Sequence, residues 1–168
     1  MRIIPIILPT PLLILLLTSC FNNRWTEEER KAFATKCSCT DTIRSEIFAF
    51  RGFENNELDT IQVLEFKDSI LLDSFHVIVK PARNAYDLER KERSAPIDRL
   101  LNIKYKYHFI LSDEKPYVLE NMKMVMWPQY TQKSEGWGCV MGDYTIDGVR
   151  FEHNANPTFI KRDTIQLR

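Results

Sequence analysis

Hydrophobic and polar residues along this chain change period twice. Residues 3–17 form an uncharged, mostly aliphatic run interrupted by Pro5, Pro9 and Pro11. Thr26-Glu27-Glu28-Glu29 then has the form of a capping box, with Thr26 as N-cap and Glu29 at the third helical position. Three acids in a first turn also suit the helix dipole. A short helix to about Thr35 follows, and with only Ala32 and Phe33 strongly apolar it must pack on something else to persist.

From Ile43 the period becomes two, the spacing of a strand. Ile43–Phe50 stops at Arg51-Gly52, and Asn55-Asn56 marks a turn. Thr60–Lys67 reads as a strand in which Val63-Leu64 breaks the alternation, the mark of a bulge or of burial on both faces. Phe75, Val77 and Val79 alternate and end at Lys80-Pro81. Asn102–Leu111 gives the cleanest pattern, with Ile103, Tyr105, Tyr107, Phe109 and Leu111 on one face and Lys104, Lys106 and His108 on the other. Ser112–Pro116 has hairpin length, and Tyr117–Trp127 is apolar on both faces. Asp147-Gly148 between Tyr144-Thr145-Ile146 and Val149-Arg150-Phe151 predicts a two-residue type I′ hairpin with Tyr144 opposite Phe151. Asn84–Arg93 is the most charged stretch and reads as an exposed helix or a solvated loop. The expectation is a mainly β fold, α+β being the alternative: an antiparallel sheet, sandwich-like, with a short N-terminal helix.

With 168 residues the chain suffices for one domain, and a single globular β-rich domain over 26–168 is expected. Lys+Arg and Asp+Glu are 23 each, a net charge of +0, which argues against nucleic acid as the main partner. The phosphate-loop, dinucleotide, zincin, nucleophile-elbow and EF-hand motifs are all missing from the sequence, and no cofactor is expected. Gly136-Trp137-Gly138 matches only half of a dinucleotide fingerprint and follows no strand–helix unit.

The leader carries an address. Arg2 precedes the apolar run, which is too short and too rich in proline to span a bilayer, and the pattern is that of a signal peptide over 1–19. Leu17-Thr18-Ser19-Cys20 resembles the lipobox of bacterial lipoproteins. That resemblance implies lipidation of Cys20, cleavage before it, and a membrane-held tether over 20–25. Phe21 follows the cysteine rather than the Asp associated with inner-membrane retention, so the resemblance implies a lipid anchor in the bacterial envelope, at the outer membrane in preference to the inner.

Three cysteines remain. Cys37 and Cys39 are too close for an unstrained bond with each other, so one of them with Cys139 is expected, Cys39–Cys139 being preferred. Simply buried free thiols or a metal site are the alternatives, but C-x-C matches zinc spacing poorly, and no metal is expected.

Two sets of residues could carry function. Trp127, Tyr130, Trp137 and Tyr144 could stack on a sugar or contact a protein, or could be core rings around Cys139. His153 precedes an Asn-rich loop and, with Asp143, Asp147 and Ser134 near in sequence, allows a hydrolytic triad to be drawn. Without a nucleophile motif, no catalytic residue is assigned. The expected function is a non-catalytic envelope module binding a protein or glycan through residues 127–153. The alternatives are an extracytoplasmic hydrolase using His153 and a nearby acid, or a lipoprotein immunity or inhibitor protein.

Overall fold

The structure is a computed structural model that describes residues 25–54, 57–111, 115–130, 135–154 and 156–162. The leader, Cys20, the tether as far as Arg24, the Asn55-Asn56 turn and Ser134 lie outside the described residues. The helix α1 (Glu27–Ser38) begins with the expected capping box: the Glu29 amide donates to Thr26 Oγ1 at 3.2 Å, and the Thr26 amide donates to Glu29 Oε2 at 2.7 Å. These bonds hold the exposed Glu29 carboxyl below its usual pKa.

Two sheets follow. The smaller contains β1 (Thr42–Arg51), β4 (Glu92–Asn102) and β9 (Thr158–Ile160), in the order β4-β1-β9. The larger contains β2 (Thr60–Lys67), β3 (Ile70–Ile78), β5 (Lys106–Ile110), β6 (Tyr117–Tyr130), β7 (Glu135–Ile146) and β8 (Val149–Phe151), in the order β3-β2-β5-β6-β7-β8. The pairings are antiparallel except β1–β9, which is parallel. A second helix, α2 (Ala85–Glu89), is capped by Asn84, whose Oδ1 accepts from the Asp87 amide at 2.9 Å.

The sheets meet face to face through aromatic rings. β1 sends Phe48 and Phe50 inward, β9 sends Phe159, and β5 sends Phe109; all four are buried. Ring centroids lie 4.4 Å apart for Phe109–Phe159, 5.1 Å for Phe50–Phe159 and 5.3 Å for Phe48–Phe109. Truncating any one of these rings to alanine costs about 3–5 kcal/mol in such a setting. The mainly β, antiparallel, sandwich-like architecture expected from the periodicity is therefore the one observed.

Three local expectations are corrected. The run Asn102–Leu111 is not one strand: the chain turns at 103–105, where the Tyr105 amide donates to the Asn102 carbonyl, and β5 starts at Lys106. Ile103, Tyr107 and Phe109 still point inward, so the alternation reports burial on both sides of a turn that it does not reveal. The segment Glu92–Arg93, read with the charged helix or loop, opens the longest strand of the smaller sheet. Pro96 lies within that strand, but β4 is an edge, where a missing N–H is tolerated.

The third correction concerns β6. Its two-sided apolar pattern is one inward face that changes parity. Tyr117 and Leu119 are buried, and then Met122 and Met124 are, because the register slips between Glu120 and Lys123 around left-handed Asn121 (φ 54°). β7 answers with Gly142 as an extra residue between the pairs Lys123–Asp143 and Met124–Met141. A Cβ at Gly142 would meet Val125 Cγ2 at 2.0 Å, so the bulge requires glycine for space. The Asp147-Gly148 hairpin has the expected register, with φ of 52° and 79° at its two corners, although Val149 is exposed.

The disulfide joins Cys37 to Cys139, Cα–Cα 5.3 Å, and not Cys39 to Cys139. Cys37 is the buried residue of α1, which lies on β6 and β7, whereas Cys39 is the C-cap and is exposed as a free thiol. Helical geometry thus decides the pairing: two residues on, a side chain points about 200° away.

One buried acid lacks an ion-pair partner of its own among the described residues. Glu46 faces inward from β1, and burial pushes its carboxyl up to about 7, against a lowering contribution from the Ile47 amide. Glu65 is also raised, chiefly by burial, and Arg99 at 3.7 Å offsets part of that.

Two predictions follow from this packing. Opening a loop with a sequence separation of 102 by Cys139→Ser should lower stability by roughly 4–5 kcal/mol in urea unfolding, while Cys39→Ser should stay within about 0.5 kcal/mol. For Glu46 the folded state retains a proton that the unfolded chain releases above about 4.5. Stability should therefore fall as pH rises from 4.5 to 7, by roughly 3 kcal/mol in all, and level off above that. Glu46→Gln should remove most of this slope and be the more stable protein at pH 8; equal slopes in both proteins would contradict the assignment.

Candidate functional site

The aromatic set singled out in the sequence does not form one surface. Tyr144 is a core residue: it is buried, its hydroxyl donates to the Asn156 carbonyl at 3.3 Å, and burial pushes its pKa up to about 12. Trp127 stands opposite Gly138 and Trp137 opposite Pro128 in the β6–β7 ladder. Adjacent rungs face opposite ways, so the two indoles lie on opposite faces of the sheet. Trp137 shares its face with Cys139 and so with the disulfide-bonded helix, and its Nε1 is buried without a partner. Both tryptophans are half-buried. Tyr130 ends β6, and its side chain lies outside the described residues.

The hydrolytic arrangement is not assembled either. His153 is exposed at a left-handed corner (φ 52°), and the bond it makes to Asp143 Oδ1, 3.2 Å, is from its backbone amide rather than its ring. Asp147 is engaged by Arg162 at 2.8 Å and by the Val118 amide at 2.9 Å. Among the described residues no group of three or more His, Cys, Asp or Glu could hold a metal, and the disulfide takes up the thiols of Cys37 and Cys139.

What the fold does build is a groove of about 530 Å³ on the outer face of the smaller sheet. Its floor follows from strand parity. Phe48 and Phe50 point inward, so Ile47, Ala49 and Arg51 point out; Phe159 points inward, so Thr158 and Ile160 point out. One wall is α2 with Arg83 and Asp87, and the other is the β8–β9 connection with Phe151, Asn154 and Asn156.

That wall is held by backbone bonds: the Asn154 amide donates to the Gly142 carbonyl at 2.8 Å, and the Ala49 amide to the Pro157 carbonyl at 2.9 Å. Phe151 stacks on Tyr144 with centroids 5.2 Å apart and planes 20° apart, so a core ring backs a groove ring. Charge in the groove is largely internally compensated. Arg51 donates through Nε and Nη2 to Glu92 Oε2 at 3.0 and 2.6 Å. Arg83 Nε donates to Asp87 Oδ2 at 3.2 Å, an oxygen that also accepts from the Arg83 amide.

No family model, curated protein or solved structure matches the chain. The groove must therefore be read from its own chemistry: an aromatic ring, two amides, the hydroxyls of Ser94 and Thr158, two ion pairs and a third arginine, Arg93. Sequence reasoning missed Arg51, Arg83 and Phe151. The available signal was the parity of β1, where an odd set of Ile47, Ala49 and Arg51 backs an even set of phenylalanines.

The pinned wall can be tested without a ligand. Asn154→Ala removes the Oδ1 acceptor that takes the Asn156 amide at 3.3 Å, and hydrogen exchange at 156–158 should accelerate while exchange in β5 stays unchanged.

Proposed function

We propose that the protein is a non-catalytic, lipid-anchored module of the bacterial cell envelope that binds a glycan in the groove beside Phe151. The groove itself carries this reading. Phe151 offers an aromatic face to a sugar ring, while Asn154, Asn156 and Thr158 supply the short polar groups that hydroxyls need. The paired ions suit a polar ligand of low net charge better than a strongly charged one, because Arg51 and Arg83 already face carboxylates, which leaves Arg93 as the third arginine of the lining. His153 meets Asp143 through its backbone amide and not its ring, an arrangement that holds the loop in place. The lipobox resemblance at Leu17–Cys20 supports the anchor, with the outer membrane favoured by Phe21. Two or three acyl chains would hold the domain at the membrane where one would not.

The test is binding of the full chain to immobilised neutral oligosaccharides drawn from bacterial envelopes. Phe151→Ala should weaken capture about tenfold, the equivalent of roughly 1.4 kcal/mol, and Trp137→Ala should leave it unchanged. Equal capture by wild type and Phe151→Ala would remove the groove from consideration. Separately, Cys20→Ser should release the protein from the membrane fraction; retention there would overturn the anchor but not the groove.

A further inference from the structure

Cys20 and Trp25 are five residues apart in the chain. An anchor on that cysteine lies no more than about 18 Å from the start of the described domain, at 3.3–3.6 Å per residue. Whatever face the domain turns to lipid must therefore adjoin Trp25. Trp25 precedes α1, and α1 rests on β6 and β7 with Cys37 bonded to Cys139. At about 100° per residue the helix then has two unlike flanks. Glu27, Lys31 and Ser38 fall on one of them, and all three are exposed and polar.

The other flank carries an open slot of about 380 Å³, lined by Trp25, Glu29, Ala32, Phe33 and Lys36. Trp25 meets Phe33 edge to face, with centroids 5.2 Å apart and planes at 81°. Both rings are half-buried, and the backbone beneath the indole is held in place, because the Trp25 carbonyl accepts from Arg30 Nη2 at 3.2 Å. The two charged groups of the slot are compatible with a headgroup layer. Glu29 is occupied by the helix cap, accepting from the Thr26 amide at 2.7 Å and from the Thr26 hydroxyl at 3.1 Å. Lys36 can lay its stem along the apolar slot while its ammonium reaches water or phosphate. An indole and a phenyl ring beside such a lysine are side chains that settle at a membrane interface.

We propose that this flank of α1 lies against the phospholipid surface, with Trp25 and Phe33 at the boundary between headgroups and acyl chains. The proposal rests on the lipid anchor at Cys20 proposed above. The tether favours lipid over a protein as the occupant, because it keeps the slot beside the bilayer and so makes even a weak contact intramolecular. Lipid is also favoured over one of the anchor's own acyl chains, since an open slot leaves part of a chain in water and the bilayer interior does not. The contact sets the rotation of the domain about its tether: Ala32 faces lipid and Glu27 faces away.

The test uses the full, lipidated chain in phosphatidylethanolamine–phosphatidylglycerol vesicles, in a Cys39→Ser background that removes the exposed thiol. Ala32→Cys and Glu27→Cys each receive a nitrobenzoxadiazole label at an exposed position. Glu27 is five residues nearer the anchor, so proximity alone would favour it. The proposal requires the reverse: emission from the label at 32 should rise several-fold and be quenched by nitroxide-labelled phospholipid, while the label at 27 stays in water. Flotation of the vesicles separates the two readings. Protein that does not float has no anchor, and both readings fall. Protein that floats with the two labels equally quenched, or with neither quenched, keeps the anchor and loses the contact. A label at 32 that is shielded but not quenched by nitroxide lipid marks a protein occupant and overturns the proposal as well. Without any label, Trp127→Phe with Trp137→Phe leaves Trp25 as the sole tryptophan, and brominated phospholipid should quench it; unquenched Trp25 in floated protein overturns the contact.

Discussion

The packing of Phe48, Phe50, Phe109 and Phe159 is the constraint on which the rest of this molecule depends. The smaller sheet has three strands, one of them three residues long, and its inward face is apolar, so that face needs a partner surface to cover it. It survives because three of its strand positions deliver rings into the larger sheet. Once those positions are committed inward, the residues between them are committed outward. The groove on the smaller sheet is thus the reverse side of the aromatic core: Ile47, Ala49 and Arg51 line it because Phe48 and Phe50 do not. Floor rigidity comes from the same source, since a floor residue can move only if its inward neighbours leave a close-packed interior.

Much of the fold was legible in the sequence, for identifiable reasons. Thr26 and Glu29 announce a helix start because both halves of a capping box lie within four residues. Asp147-Gly148 announces its turn because a left-handed corner restricts residue choice. What was not legible depends on contacts distant in sequence. The turn at 103–105 is hidden because alternation continues through it, inward residues being needed on either side. The parity reversal in β6 looked like two apolar faces because only the compensating Gly142 in β7 identifies it as a pair of bulges. Glu46 could not be recognised as buried, since an acid between Ser45 and Ile47 gives no sign of facing inward.

The site was less legible than the fold. Aromatic residues were the natural candidates, but an aromatic ring in a small β protein is spent first on the core, and Tyr144 is placed by that demand while Trp137 stands half-buried on the face of Cys139. Phe151 is available to a ligand only because Tyr144 fills the space behind it. The disulfide shows the same priority. α1 has one fully buried residue, Cys37, and a covalent bond to Cys139 does the work that an apolar stripe does in better-packed helices. Cys39, two residues on, is left outside by the pitch of the helix.

A sandwich with one bridged side is close to a barrel, and the reason it stops short lies in one residue. From the Lys80–Ser94 bridge the next edge-facing pair would be Ile78 with Pro96. Proline has no N–H to donate, so that rung loses one of its two hydrogen bonds. The following rungs approach Asp73, Phe75 and Arg99, whose ion pair and ring contact span the gap through side chains instead of backbone. The ladder therefore ends after one bond, and β3 keeps a row of backbone groups that full closure would have satisfied. The Ser74 amide turns to the neighbouring carboxylate for want of a strand. That open edge is also broken in its own course, because the register against β2 slips at Leu72, so its unpaired backbone groups do not form one continuous row.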